Sequence, residues 1–167
     1  GLNTEVSVNR PTKPRKSPGY AIMRFFHHLM FTPDAPLFRP AKWFFKKIEG
    51  TRLEGPVTEW EYWIKFASSR CRRCGDCTLL EVAFLCPHSQ CPKYLFNGQC
   101  GGSLERWCEV YPQKKKCIYV RAYNRLKPYG EEESLKEGYT PPRNWALDQT
   151  SSWVNYFLGR DHHSQKE

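Results

Sequence analysis

Apolar positions recur at helical spacing in four separate stretches of the chain. The first, YAIMRFFHHLMF, puts Ile22, Phe25, Phe26, Leu29 and Met30 on one stripe and predicts a helix packed on something apolar. Thr32–Pro36 breaks it. A second short helix is predicted over Pro40–Ile48, with Trp43, Phe44 and Ile48 inside, Lys42, Lys46 and Lys47 outside, and Gly50 or Gly55 as the stop. The third covers Thr58–Ser68. Trp60, Ile64 and Ala67 form its stripe, Trp63 and Phe66 widen it, and Thr58 with Glu61 reads as a capping box. The last is marked by Trp145, Trp153, Tyr156, Phe157 and Leu158, with Ser151 or Ser152 as N-cap.

Between these stretches the pattern changes. Residues 71–117 are rich in Gly, Pro and Cys and build no long regular element, so ligands must organise them. Ile118–Leu126 alternates aromatic, apolar and basic residues and fits a strand or a helical turn. Residues 130–142 form an acidic loop. The expected organisation is a flexible basic arm (1–19), a helical docking segment (20–57), a cysteine-rich domain (58–127) and a C-terminal loop, amphipathic helix and tail (128–167). The fold class is small α plus irregular: a cysteine-rich, metal-organised core with flanking amphipathic helices and few short strands. These helices are too apolar to stand alone, which points to burial against a partner.

Composition narrows the class. Aromatic residues make up 15% of the chain, far more than a disordered protein carries, while 13 Pro and 11 Gly interrupt any long heptad run. No apolar run reaches the roughly 18–20 residues of a membrane span. The formal charge of +9 is spread as +3 over residues 1–20, +3 over 21–70, +3 over 71–117 and zero over the rest. A nucleic-acid binder concentrates its charge on one face, so that partner is disfavoured.

The cysteines carry the chemistry. Cys71, Cys74, Cys77, Cys86, Cys91, Cys100, Cys108 and Cys117 all fall within 47 residues. A secreted disulfide scaffold spreads its bridges over the whole domain, and residues 1–20 lack the apolar stretch of a leader. Three thiols at C-x2-C-x2-C spacing wrap the corners of a cubane, as at the start of the bacterial ferredoxin run, and Cys86-Pro87 and Cys91-Pro92 echo its Cys-Pro ending. Eight thiolates are the count for two [4Fe–4S] clusters. If cysteine caps every iron, such clusters carry electrons and bind no substrate. Gly75, Gly98, Gly101 and Gly102 let backbone N–H groups approach cluster sulfur, and Arg72 and Arg73 are candidates to stabilise the reduced form or face an acidic donor. Two four-thiolate zinc sites, or one cluster with one zinc, use the same cysteines, and the zinc alternative makes the chain a structural adaptor subunit or a nucleic-acid-binding zinc protein.

The stretch from Cys71 to Lys127 resembles the C-terminal domain family of methylenetetrahydrofolate reductases, which in some bacteria is a separate small subunit. The matching pieces are Cys74-Gly75-x-Cys77, Cys86-Pro87, Cys91-Pro92-Lys93, Asn97-Gly98-x-Cys100-Gly101-Gly102, Cys108-Glu109-Val110, Cys117 and Ala122-Tyr123-x-Arg125. Gln99 departs from the expected Pro. The resemblance implies an iron–sulfur subunit in an oxygen-poor cytoplasm, inactive on its own. It would relay electrons from reduced ferredoxin or another redox subunit to the flavin of a partner. That partner would be a TIM barrel binding flavin and folate, and this chain shows no βα alternation of its own. By analogy with two-cluster ferredoxins, Cys71, Cys74, Cys77 and Cys117 hold the first cluster and Cys86, Cys91, Cys100 and Cys108 the second.

Three histidine positions remain. His27-His28 reads as a structural pair, because adjacent residues do not share a helix face. His88 lies between two cysteines and reads as a bystander or a donor to a ligand. Asp161-His162-His163 reads as a solvated end.

Overall fold

The computed structural model describes residues 15–137 and 140–166. Of the expected basic arm, residues 1–14 lie outside the described residues. Three helices come first: α1 (Pro18–Met30), α2 (Phe38–Ile48) and α3 (Glu54–Ser69). One turn of helix, α4 (Pro87–Gln90), interrupts the cysteine region. A small antiparallel sheet follows in the order β1 (Ser103–Leu104), β2 (Trp107–Cys108), β3 (Tyr111–Lys116). Then come α5 (Ile118–Leu126), α6 (Ser134–Glu137) and α7 (Ser152–Phe157), with a 3-10 turn at Trp145–Leu147. Among the described residues no helix is long and apolar enough to cross a membrane.

Two apolar clusters hold these pieces. In the first, α5 buries Ile118, Tyr119, Ala122 and Leu126 against Tyr20 of α1 and the turn carrying Val82, Ala83 and Leu85. The ambiguous stretch 118–126 is thus a helix. Its buried residues follow the 3, 4 spacing of a helix face, while Arg121 and Arg125 reach out to Gln90 and the Ala83 carbonyl. In the second cluster, Phe45 and Ile48 of α2 pack on Val154 and Phe157 of α7. The Phe45 and Phe157 rings stack with centroids 5.0 Å apart, and the Tyr156 hydroxyl donates to the Phe31 carbonyl at 2.6 Å. Ser151 caps α7 as expected, accepting from the Val154 N–H.

The helices point differently from the sequence expectation. On α1 Tyr20 is buried, while Ile22, Phe25 and Phe26 face outward. On α2 the inward ring is Phe45, and Trp43 and Phe44 are exposed. The third helix begins at Glu54 rather than Thr58, with Pro56 in its first turn, where a missing N–H costs nothing. Thr58 therefore caps nothing and donates to the Glu54 carbonyl. The whole stripe of α3 is turned out: Trp60 and Trp63 are 62% and 63% exposed, while Glu61 on the opposite face is 4% exposed.

Candidate metal centre

α3 ends on Arg70, whose left-handed φ of 55° sends the chain into the loop Cys71–Cys77. The C-terminal third of the protein fastens that loop by its backbone. The Arg73 carbonyl accepts from the Gln149 N–H at 2.9 Å. The Cys74 carbonyl accepts from Arg143 at 2.6 Å, and the Gly75 carbonyl from Asn155 at 2.9 Å. Arg143 is itself gripped between Phe96 and Trp145. Gly75, at φ 68°, lies against the Leu147 carbonyl and Thr150, where a Cβ has no room. Buried Asp76 accepts from the Asn144 N–H at 2.9 Å and from His162 Nδ1 at 2.5 Å.

Beneath the loop lies a buried ion pair. Glu61 receives Lys65 at 2.8 Å, Ser152 at 2.7 Å and Ser151 at 2.5 Å. With Lys65 it lines a cavity together with Cys71, Cys74 and Cys77. Burial would raise Glu61, but Lys65 and the two serine hydroxyls outweigh it and hold the carboxylate below its ordinary pKa. Burial opposes the charge of Lys65, yet Cys77 and Glu61 keep its pKa raised. Burial pushes the Cys74 thiol up to about 12 and Cys77 up to about 11.

The neighbours of each thiol sort the cysteines. After burial, the charges felt by Cys71, Cys74 and Cys77 include that of Cys86 in all three cases, and Cys74 also feels Cys77 and Cys71. Cys86 and Cys91 flank opposite ends of α4. Cys91 joins the α5 core. There burial, then the charges of Cys91, Cys100 and Cys117, raise the pKa of the Tyr119 hydroxyl to about 12. The sheet brings in the eighth thiol: Ser103, three residues after Cys100, pairs with Cys108, and Trp107 pairs with Lys116, next to Cys117. These contacts put Cys86 near the Cys71–Cys77 loop, and Cys91, Cys100 and Cys117 near Tyr119.

The donor sets suit a cubane in chemistry: thiolates with backbone N–H groups aimed at them. Backbone N–H groups of Arg73 and Gly102 point at Cys71 and Cys100 sulfur, each at 3.3 Å. Four thiolates would serve each cubane, and the same count would serve each tetrahedral zinc.

Several participants escaped the sequence reading. Lys65 and Glu61 hid in a helix whose aromatic stripe dominated the pattern, and Arg143 and Asn155 are ordinary polar residues until the loop they hold is known. The Asp161-His162-His163 end is not solvated: Asp161 and His162 are buried, and His162 contacts Asp76 and Glu81. A polar tripeptide near the end of a sequence carries no signal of that. His88 packs among Tyr94, Phe96 and Trp145, and burial first, then Arg143 and Arg72, lower its pKa. His27 stacks on Phe31, with its ring 5.7 Å away.

A family model described as the C-terminal part of methylene-tetrahydrofolate reductase matches residues 51–146, more than half of the chain and all eight cysteines. No curated protein matches the chain, and no solved structure does.

Proposed function

The chain belongs to the methylene-tetrahydrofolate reductase C-terminal family, and from that premise we propose that it is the iron–sulfur electron-transfer subunit of such a reductase. In this reading it holds two [4Fe–4S] clusters and takes electrons from reduced ferredoxin or another redox subunit. It passes them to the flavin of a catalytic partner that also binds the folate. The observation that carries the reading is the family match over residues 51–146, which takes in all eight thiols.

The ligand sets we propose are Cys71, Cys74, Cys77 and Cys86 for one cluster and Cys91, Cys100, Cys108 and Cys117 for the other. When bound, the clusters supply one-electron carriers. Around them the chain's own groups act by charge and position: Lys65 sets a buried cation beside Cys77 and Cys71, and the Arg73 and Gly102 N–H groups neutralise thiolate charge. Each of these favours the more negative, reduced state. The exposed rings of Phe25, Phe26, Trp43, Trp60, Trp63 and Phe66 support docking on a partner, since isolated surfaces rarely display so many large apolar groups.

The test is metal analysis of the anaerobically purified chain, with its partner when one co-purifies. About eight iron and eight acid-labile sulfides per chain are expected. About two zinc ions without sulfide would overturn the relay. The ligand sets are checked by electron paramagnetic resonance. Cys86→Ser and Cys74→Ser should alter one signal, and Cys91→Ser and Cys117→Ser the other.

A further inference from the structure

We propose that Glu81, His162 and His163 form a separate binding site for one divalent transition-metal ion, of the zinc type, outside both cysteine sets. The two imidazoles converge on one carboxylate oxygen: His162 Nε2 and His163 Nε2 each lie 3.0 Å from Glu81 Oε1. The rings lie side by side with centroids 4.1 Å apart. All three ligand atoms fall within 4.8 Å of one another, and they are the one such trio among the described residues. Ligands at about 2.0–2.2 Å from a tetrahedral zinc sit about 3.4 Å apart, so small side-chain shifts suffice.

The surroundings are those of a metal site rather than a chance cluster. Each imidazole is oriented from behind by its own carboxylate. His162 Nδ1 meets Asp76 at 2.5 Å, and His163 Nδ1 meets Asp161 at 2.9 Å. That arrangement fixes the tautomer with the Nδ1 proton toward the carboxylate and the Nε2 lone pair toward the metal. Both orienting carboxylates and His162 are buried. The His163 Nε2 atom is buried without an aligned hydrogen bond, although Glu81 is close. Charge bookkeeping permits the exchange as well. Three carboxylates with two imidazolium rings carry net −1, and the same carboxylates with two neutral rings and a divalent ion carry the same. Binding therefore replaces two protons by one cation without adding buried charge.

The site has a structural consequence. Asp76 is part of the loop Cys71–Cys77, so a metal held by His162 would brace that loop from outside its thiols. His162 and His163 lie beyond the part of the chain that matches the family.

The test uses the whole chain with its cysteine sites loaded, kept anaerobic. Zinc(II) alone is titrated against a chromogenic chelator, and cobalt(II) alone serves as the spectroscopic probe. One equivalent of tight zinc per chain is expected, and weak cobalt ligand-field bands without intense thiolate-to-metal absorption. His163→Ala and Glu81→Gln should each weaken zinc binding at least about 100-fold. Asp161→Asn, behind the ligand, should weaken it about 10-fold. Iron and sulfide contents should stay at the wild-type value. The proposal is overturned by no stoichiometric zinc in the wild-type chain, by thiolate absorption in the cobalt spectrum, or by unchanged affinity in properly folded Glu81→Gln and His163→Ala. The wild-type cobalt spectrum needs no variant, so misfolding of a mutant does not protect the idea.

Discussion

Lys65→Met removes the cation that faces the buried Glu61 carboxylate and leaves its methylene packing in place. Glu61 is 4% exposed. Without Lys65 it keeps the hydroxyls of Ser151 and Ser152 and a longer contact from the Trp153 N–H at 3.4 Å, but no positive charge. Breaking a buried pair from one side costs about 3–5 kcal/mol, because the remaining charge is stranded. Three neutral donors stay, so the lower end, about 3 kcal/mol, is expected. Glu61→Gln strands the ammonium of Lys65 instead and should cost a similar amount. The double variant strands nothing, and its cost should be about 1–2 kcal/mol, well under the sum of the singles. At about 2–4 °C per kcal/mol for a chain of this size, each single variant should melt roughly 6–12 °C lower. The assay is anaerobic urea unfolding followed by far-ultraviolet circular dichroism, run as a double-mutant cycle. Additivity within about 0.5 kcal/mol would refute the claim that the two groups act as one buried unit.

Gly75→Ala should cost at least about 2 kcal/mol and lower iron content, because its Cβ would meet the Leu147 carbonyl and lie 2.8 Å from Thr150 Oγ1 at a φ of 68°. Gly50→Ala, at the same φ of 68° with open space around it, is the comparison, and equal losses in the two would contradict the packing argument. Burial, then His28 and His163, lowers the His27 pKa from 6.5 to about 4. Between those values the unfolded chain binds more protons than the folded one, so stability is complete above about pH 6.5 and falls as pH drops toward 4. Melting temperatures at pH 7 and pH 5 should therefore differ less in His27→Phe than in the wild type; equal differences would clear His27 of the role. Trp60→Ala with Trp63→Ala should weaken co-purification with a flavoprotein partner at least 10-fold while leaving iron content and melting unchanged, since both rings are already in solvent. Retained partner binding would mean that docking uses another face.

The sequence made some features plain and concealed others for identifiable reasons. Helical spacing located α1, α2, α3 and the Ser151 cap of α7, because periodicity and capping are local properties. It misjudged which side faces in. A stripe of Trp60, Trp63 and Ile64 looks like a core face, yet this protein turns it outward and buries Glu61, whose partners stand about 90 residues away. The start of α3 was missed because Gly55 read as a stop and Thr58 as a cap, whereas glycine and proline in a first turn are tolerated. The cysteine set was legible from spacing alone. How the thiols are brought together depends on tertiary contacts such as the Cys117 N–H to the Arg106 carbonyl, which spacing does not encode. The buried Asp161-His162-His163 end depends wholly on tertiary contact with Glu81 and Asp76, and no local pattern encodes it.

The fastening of the loop Cys71–Cys77 by distant backbone partners also sets a timetable. Asp76 waits for His162, 86 residues further along the chain, and the Gly75 carbonyl waits for Asn155, 80 residues further along. At about 5–20 residues per second, a ribosome needs roughly 4–17 seconds to add those residues, with the exit tunnel still to be cleared. During that interval the loop, with its three thiols, lacks these distant fastenings, and in the proposed reading cluster insertion there follows the arrival of Asn155 and His162. A cell making the protein must shield these thiols from oxygen and stray metal until the last helix arrives.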